Sequence, residues 1–176
     1  LNGDQPGVRG AVAASLSVES GWEAAVAAAL GRASDAVAVD SLSAAIAALR
    51  RLRTDDLGRA GLLVADAPSD PDDDPTRWPA LPPGSRYALD AVTVDGALLP
   101  AVRRALHRTA LVEDLDAAER LVGELPTVTA VTRDGDVVGG RLAYGGSHAQ
   151  PSLLEVQAAV EEATAGLAEL EARIER

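Results

Sequence analysis

The chain has 176 residues, a net charge of -11 and sixteen basic residues, all of them Arg, with neither Lys nor Cys. These counts exclude disulfides, thiolate chemistry and a phosphate-binding GxxxxGK[ST] loop. The acidic balance argues against a nucleic-acid footprint over the whole surface and leaves only a local basic patch open. The length suits one domain with a real core, or two small subdomains. No apolar run approaches the roughly 18 residues of a membrane helix, and no signal-peptide pattern is present, so no membrane partner and a cytoplasmic setting are expected. A start at Leu1 rather than Met reads as a segment of a longer chain.

In chain order, Leu1 to Gly7 reads as a frayed end, followed by a strand around Gly10 to Ala14. Ser20 is an N-cap candidate, with Glu23 completing a capping box, for a helix over Ala24 to Leu30 that Gly31 stops. Asp35 to Val39 suits a buried strand. Ser41 then caps a helix over Leu42 to Arg53, whose amphipathic spacing is Leu42, Ile46, Leu49, Arg53. Arg59 to Ala65 reads as another strand.

Asp66 to Arg86 changes character, with Pro68, Pro71, Pro75, Pro79, Pro82 and Pro83 among Asp70, Asp72, Asp73 and Asp74. Such a tract suits neither helix nor central strand. It is expected to be a solvated linker; a cation site on the Asp cluster is the weaker alternative, because no EF-hand spacing is present. The second half resumes with a strand over Ala91 to Val94, a helix over Leu98 to His107 and a strand over Thr109 to Glu113. Asp114 caps a helix through Glu124, and a strand over Thr127 to Thr132 follows.

The two halves repeat. Val26 and Leu30 match Val102 and Leu106, and Val39-Asp40-Ser41-Leu42 matches Val112-Glu113-Asp114-Leu115, in a register three residues shorter. Each half reads helix, strand, capped helix, strand. The fold class expected is therefore α/β (mixed α+β), as two similar lobes over 8–65 and 87–150 joined by the tract 66–86. A helical segment over 151–176 follows. There, Leu153, Val156, Val160, Ala163, Leu167, Leu170 and Ile174 alternate at spacings of three and four, a heptad seam suited to the start of a coiled-coil arm.

Thr132 to Gly146 holds five of the sixteen glycines. Asp134-Gly135 signals a type I′ hairpin turn. The pairs Gly139-Gly140 and Gly145-Gly146 suggest that another element, or a second chain, packs onto bare backbone there.

At this point the chain resembles the hinge domain of the structural maintenance of chromosomes (SMC) family, with the composition of an actinobacterial member. The residues that carry the resemblance are Gly7-Val8-Arg9-Gly10, Gly21-Trp22-Glu23-Ala24-Ala25-Val26 with Ala29-Leu30-Gly31, and Ala36-Val37-Ala38-Val39-Asp40-Ser41. Asp134-Gly135-Asp136-Val137-Val138 and Gly145-Gly146-Ser147 complete the set. The resemblance implies a two-lobed hinge joining coiled-coil arms. It implies homodimerisation of lobe I on the partner's lobe II, with Gly139, Gly140, Tyr144, Gly145 and Gly146 at the contact. It further implies a nucleoid-associated setting, accessory chromosome-organising subunits, and ATPase heads outside this segment. Gly139-Gly140 sits slightly earlier than the family's first glycines, so Gly145 and Gly146 follow the pattern more closely.

No catalytic residue, cofactor or metal ligand set is expected. His107 and His148 have no partner ligands at suitable spacing, and Ser147 beside His148 lacks an orienting third group. Gly139-Gly140 opens no helix, so a dinucleotide fingerprint is weak. Arg50, Arg51 and Arg53, and Arg103, Arg104 and Arg108, read as solvated helix faces before DNA-contacting patches. Two alternatives therefore stand beside the hinge: a nucleic-acid-binding module using these arginines, and a ligand-sensing α/β domain with the glycine loop as its site.

Overall fold

The computed structural model describes residues 6–66, 68, 70–146, 156–160 and 162–164. Lobe I opens with β1 (Val8–Ala11), a single 3-10 turn and β2 (Leu16–Val18), where one strand around Gly10 to Ala14 was expected. The helix α1 (Glu23–Leu30) follows, then β3 (Val37–Val39), α2 (Leu42–Thr54) and β4 (Leu62–Val64). Lobe II runs β5 (Arg86–Tyr87), a 3-10 turn, β6 (Val92–Val94), α3 (Leu99–Ala105), β7 (Thr109–Val112), α4 (Leu115–Glu124) and β8 (Thr129–Thr132). The repeat is thus more complete than the sequence suggests, because even the short strands and 3-10 turns recur in order. Among the described residues only lobe II continues, into β9 (Val137–Val138) and β10 (Ala143–Tyr144).

In each lobe a parallel strand pair is bridged by a capped helix and flanked by an antiparallel strand. Lobe I has the order β1-β3-β4, with β3 parallel to β4. Lobe II has the order β10-β9-β8-β7-β5, with β7 parallel to β8. The caps are as expected: Ser41 Oγ accepts from the Ala44 N–H at 3.2 Å, and Asp114 Oδ1 accepts from the Ala117 N–H at 2.8 Å. Each satisfies a backbone donor that the first helical turn leaves orphaned. Ser20 does not cap α1. Trp22 occupies the cap position, and Glu23 Oε2 reaches back to the Gly21 N–H at 2.9 Å.

The lobes are not separate cores. β2 pairs antiparallel with β6 across the pseudo-two-fold. One apolar cluster unites Val12, Leu16, Val26 and Leu30 of lobe I with Leu98, Val102, Leu106, Leu111 and Val131 of lobe II. A smaller cluster under α4 holds Val112, Leu121 and Val128.

Asp66 to Arg86 departs from the expected solvated linker. Asp70 and Asp74 each cap a 3-10 turn that begins with proline, Pro71–Asp73 and Pro75–Arg77. Proline is well placed at a first helical position, where no N–H is needed. Trp78 is buried, and its Nε1–H donates to the Asp72 carbonyl at 2.9 Å. The Trp78 ring meets Tyr87 edge-on at 4.8 Å and His107 at 5.6 Å. Backbone N–H bonds from Asp72 and Thr76 hold Asp70 and Asp74 below the usual carboxylate range. Among the described residues no acidic or histidine group is arranged to hold a metal ion.

Candidate self-association surface

β8 is followed by a three-residue loop rather than the expected two-residue turn. The Gly135 N–H donates to Thr132 O, and the Thr132 N–H donates to Asp136 O, both at 2.9 Å. Gly135 alone takes positive φ, at 89°. The loop is thus closed by a left-handed glycine and is not a type I′ turn, which needs positive φ at Asp134 too.

Asp136 then organises the rest of the motif. Its Oδ2 accepts from Thr132 Oγ1 at 3.1 Å, and its Oδ1 accepts from the Gly146 N–H at 2.9 Å. Gly145 lies against the same carboxylate, so a Cβ there would overlap Asp136. A Cβ on Gly140 would sit 3.2 Å from the Pro126 carbonyl, and the Gly139 N–H closes the β9–β10 hairpin by donating to Leu142 O at 2.9 Å. The bare backbone at Gly140 and Gly145 is therefore used within the chain, by another element of the same chain, as one of the two expected alternatives has it. Gly146, with φ of 124° and open space around it, is required for its backbone conformation.

β10 is the outer strand of its sheet and, among the described residues, has β9 as its one strand neighbour. The edge carries an unusual apolar load, since Tyr144 and Leu142, the residue before β10, are each 74% exposed.

The matching vacancy is in lobe I. β4 has β3 on one side and, among the described residues, no strand on the other. In lobe II the equivalent side of β8 is occupied by β9. The flanking helices register this difference. Val122 of α4 and Val138 of β9 both pack against the smaller cluster. The repeat counterpart of Val122 in α2, Leu49, is 45% exposed, beside Leu42 at 66% and Ile46 at 41%. The amphipathic spacing of Leu42, Ile46 and Leu49 is thus not the buried face of α2, which is Ala45, Ala48 and Leu52. Gly7, on the β1 side, abuts Ala44. Helical geometry puts Leu42, Ile46 and Leu49 on the opposite flank, beside the open edge of β4.

The arginines are placed differently from one another. Arg50, Arg51 and Arg53 lie exposed along the end of α2, with Arg51 paired to Asp55 at 3.3 Å. Arg104 is turned into the proline-rich tract, bonding Asp73 at 2.8 Å and Asp70 at 3.3 Å. Arg103 and Arg108 are half-buried with their Nε atoms enclosed. The second cluster is thus a packing element more than an open basic face. Of the heptad seam, Val156, Val160 and Ala163 lie in described helix, with Val156 and Val160 exposed. Leu153, Leu167, Leu170 and Ile174, with Ser147 and His148, lie outside the described residues.

The sequence model described as SMC proteins Flexible Hinge Domain matches residues 5–122. The chain belongs to the SMC hinge family. It is 45% identical over 168 residues, 96% of its length, to the chromosome partition protein Smc of Mycolicibacterium paratuberculosis, and 42% identical over 94% of its length to that of Mycobacterium tuberculosis. It spans 14% of the length of each of these relatives. Among solved structures, the asymmetric dimer of the Geobacillus stearothermophilus SMC hinge domain matches with a TM-score of 0.78 and 31% identity, over 96% of this chain and 70% of that one. The Pyrococcus furiosus SMC hinge domain shares the fold, with a TM-score of 0.64 at 24% identity over 84% of this chain and 78% of that one. The family match ends within α4, so the SMC hinge sequence model leaves the glycine motif outside its span.

Proposed function

We propose that this chain is the homodimerisation hinge of a chromosome partition protein, joining two coiled-coil arms and performing no catalysis of its own. ATP chemistry and accessory subunits then belong to segments outside it, and the setting is the cytoplasm, at the nucleoid. The observation that carries the reading is the mismatch between the lobes. β8 is covered by β9, which β10 extends, whereas among the described residues β4 has no strand on its outer side and is flanked by an exposed Leu42, Ile46 and Leu49 stripe.

A second copy supplies what is missing: its β10, with Tyr144 and the preceding Leu142, adds to the β4 edge. Main-chain bonds give affinity and the α2 stripe gives the side-chain pocket. Two-fold symmetry forms the contact twice and satisfies both donors and both acceptors. It also removes two apolar edges that would otherwise invite aggregation. A specific interface of this kind buries on the order of 1,200–2,000 Å² in total. The exposed Val156 and Val160 fit an arm that pairs with a strand supplied by another part of the protein.

Light scattering at tens of micromolar tests this. The wild type is expected to be a dimer, and Ile46→Glu or Leu142→Glu a monomer with unchanged circular dichroism. A monomeric wild type, or a double variant that stays dimeric, contradicts the reading. These sites are better probes than Gly145, whose substitution disturbs Asp136 within one chain.

A further inference from the structure

Five side chains from the two lobes converge at the carboxyl ends of β7 and β8. Arg133, the residue after β8, forms a two-pronged bond to Glu113, with Nε to Oε1 at 2.8 Å and Nη2 to Oε2 at 3.0 Å. Its Nη1 donates to the Gly21 carbonyl of lobe I at 3.2 Å. Its guanidinium also lies 4.3 Å from the centre of the Trp22 ring. Arg86, in β5, lies 5.3 Å from the same ring and donates to Glu19 Oε2 at 2.6 Å. Trp22 is thus faced by two guanidiniums from lobe II, each neutralised by a carboxylate. Gly21 has positive φ, and a Cβ there would sit 3.0 Å from Arg133, so the glycine admits this approach.

Arg133 is also the first residue of the loop that Gly135 closes. Thr132, its neighbour in the chain, bonds Asp136 through both main chain and side chain, and Asp136 in turn accepts from the Gly146 N–H, so these bonds reach both ends of the β9–β10 hairpin. We propose that Trp22 and Arg133 form a clamp through which lobe I positions this hairpin, and with it β10, for pairing with a second copy. The inference rests on the dimer reading and deepens it: the clamp residues need not touch the partner, yet set the geometry of the strand that does. Planar stacking and forked bonding require Arg, which Lys does not replace. The clamp also binds the edge that leaves a chain to the lobe whose own edge receives one, so loosening either end loosens both contacts.

Sedimentation equilibrium of the chain and hydrogen exchange at the Gly139 and Gly146 amides test it, the exchange being read below the dimer concentration. Arg133→Ala and Trp22→Ala are expected to weaken the dimer about tenfold, the size of one stacking and forked contact. Both should speed exchange at the two amides several-fold while α2 amides stay protected. Arg133→Lys should behave like Arg133→Ala, and Glu113→Gln, which preserves shape, should give a smaller change of the same sign. An unchanged dimer constant in the Arg133 variants overturns the clamp, whether or not exchange changes. A monomeric wild type overturns the dimer reading instead, and exchange in the single chain then shows separately whether Arg133 holds the hairpin.

Discussion

Asp136 shows how a single carboxylate can fix a glycine motif. Its two oxygens bond the Thr132 hydroxyl and the Gly146 amide, and its side chain fills the space a Gly145 Cβ would need. Gly145→Ala must therefore displace Asp136 from both partners and is expected to cost about 1–3 kcal/mol of stability, the range for overpacking combined with an unmade hydrogen bond. Chemical denaturation of Gly145→Ala in the wild-type and Asp136→Ala backgrounds measures it. The cost should shrink in the second background, and equal costs would show that Asp136 is not the obstacle. The sequence made the glycines legible as places of close approach, because only glycine lacks the Cβ. It left the approaching atom unnamed, since Asp136 lies nine residues before Gly145 and the hairpin that brings them together is a tertiary fact.

At the scale of elements, local signals read true where the physics is local. Ser41 and Asp114 bond amides three residues on, and both caps are where their sequence patterns place them. Replacing either by Ala is expected to cost about 1 kcal/mol, as for N-caps generally, with the loss seen in thermal unfolding. A variant as stable as the wild type would mean that water caps the helix equally well. Signals that depend on what lies beyond the element were misread. The 3-4 spacing of Leu42, Ile46 and Leu49 correctly predicts a helix but not which face it buries. Small alanines, Ala45 and Ala48, face the sheet instead and let α2 approach closely. The proline-rich tract likewise reads as solvated until Trp78 finds Tyr87 and His107 across the fold.

The molecule as a whole is a duplicated unit that has lost its independence. α1 and α3 share one apolar cluster, and β2 and β6 form a sheet to which each lobe contributes one strand. The overall class, the repeat and the family were legible because they rest on ordered motifs over most of the chain. The sharing of the core was not, because apolar residues do not announce their partners. Charge also acts at this scale. With a net charge of -11 and Arg104 committed to Asp70 and Asp73, DNA binding at physiological salt is expected to be weak and to depend on Arg50 and Arg53. Fluorescence anisotropy with a labelled duplex checks it. Submicromolar affinity that survives Arg50→Ala and Arg53→Ala would contradict it.

The open edge of β4 and the outer strand β10 belong to one chain, and that has a kinetic consequence. Two copies joined at both sites are held by bivalent attachment. When one site lets go, the other keeps its partner tethered, so the freed strand faces its groove at a local concentration in the millimolar range. Separation then requires two simultaneous releases, whereas parting on one side requires only one. A dimer built this way can gape and reclose many times without exchanging partners.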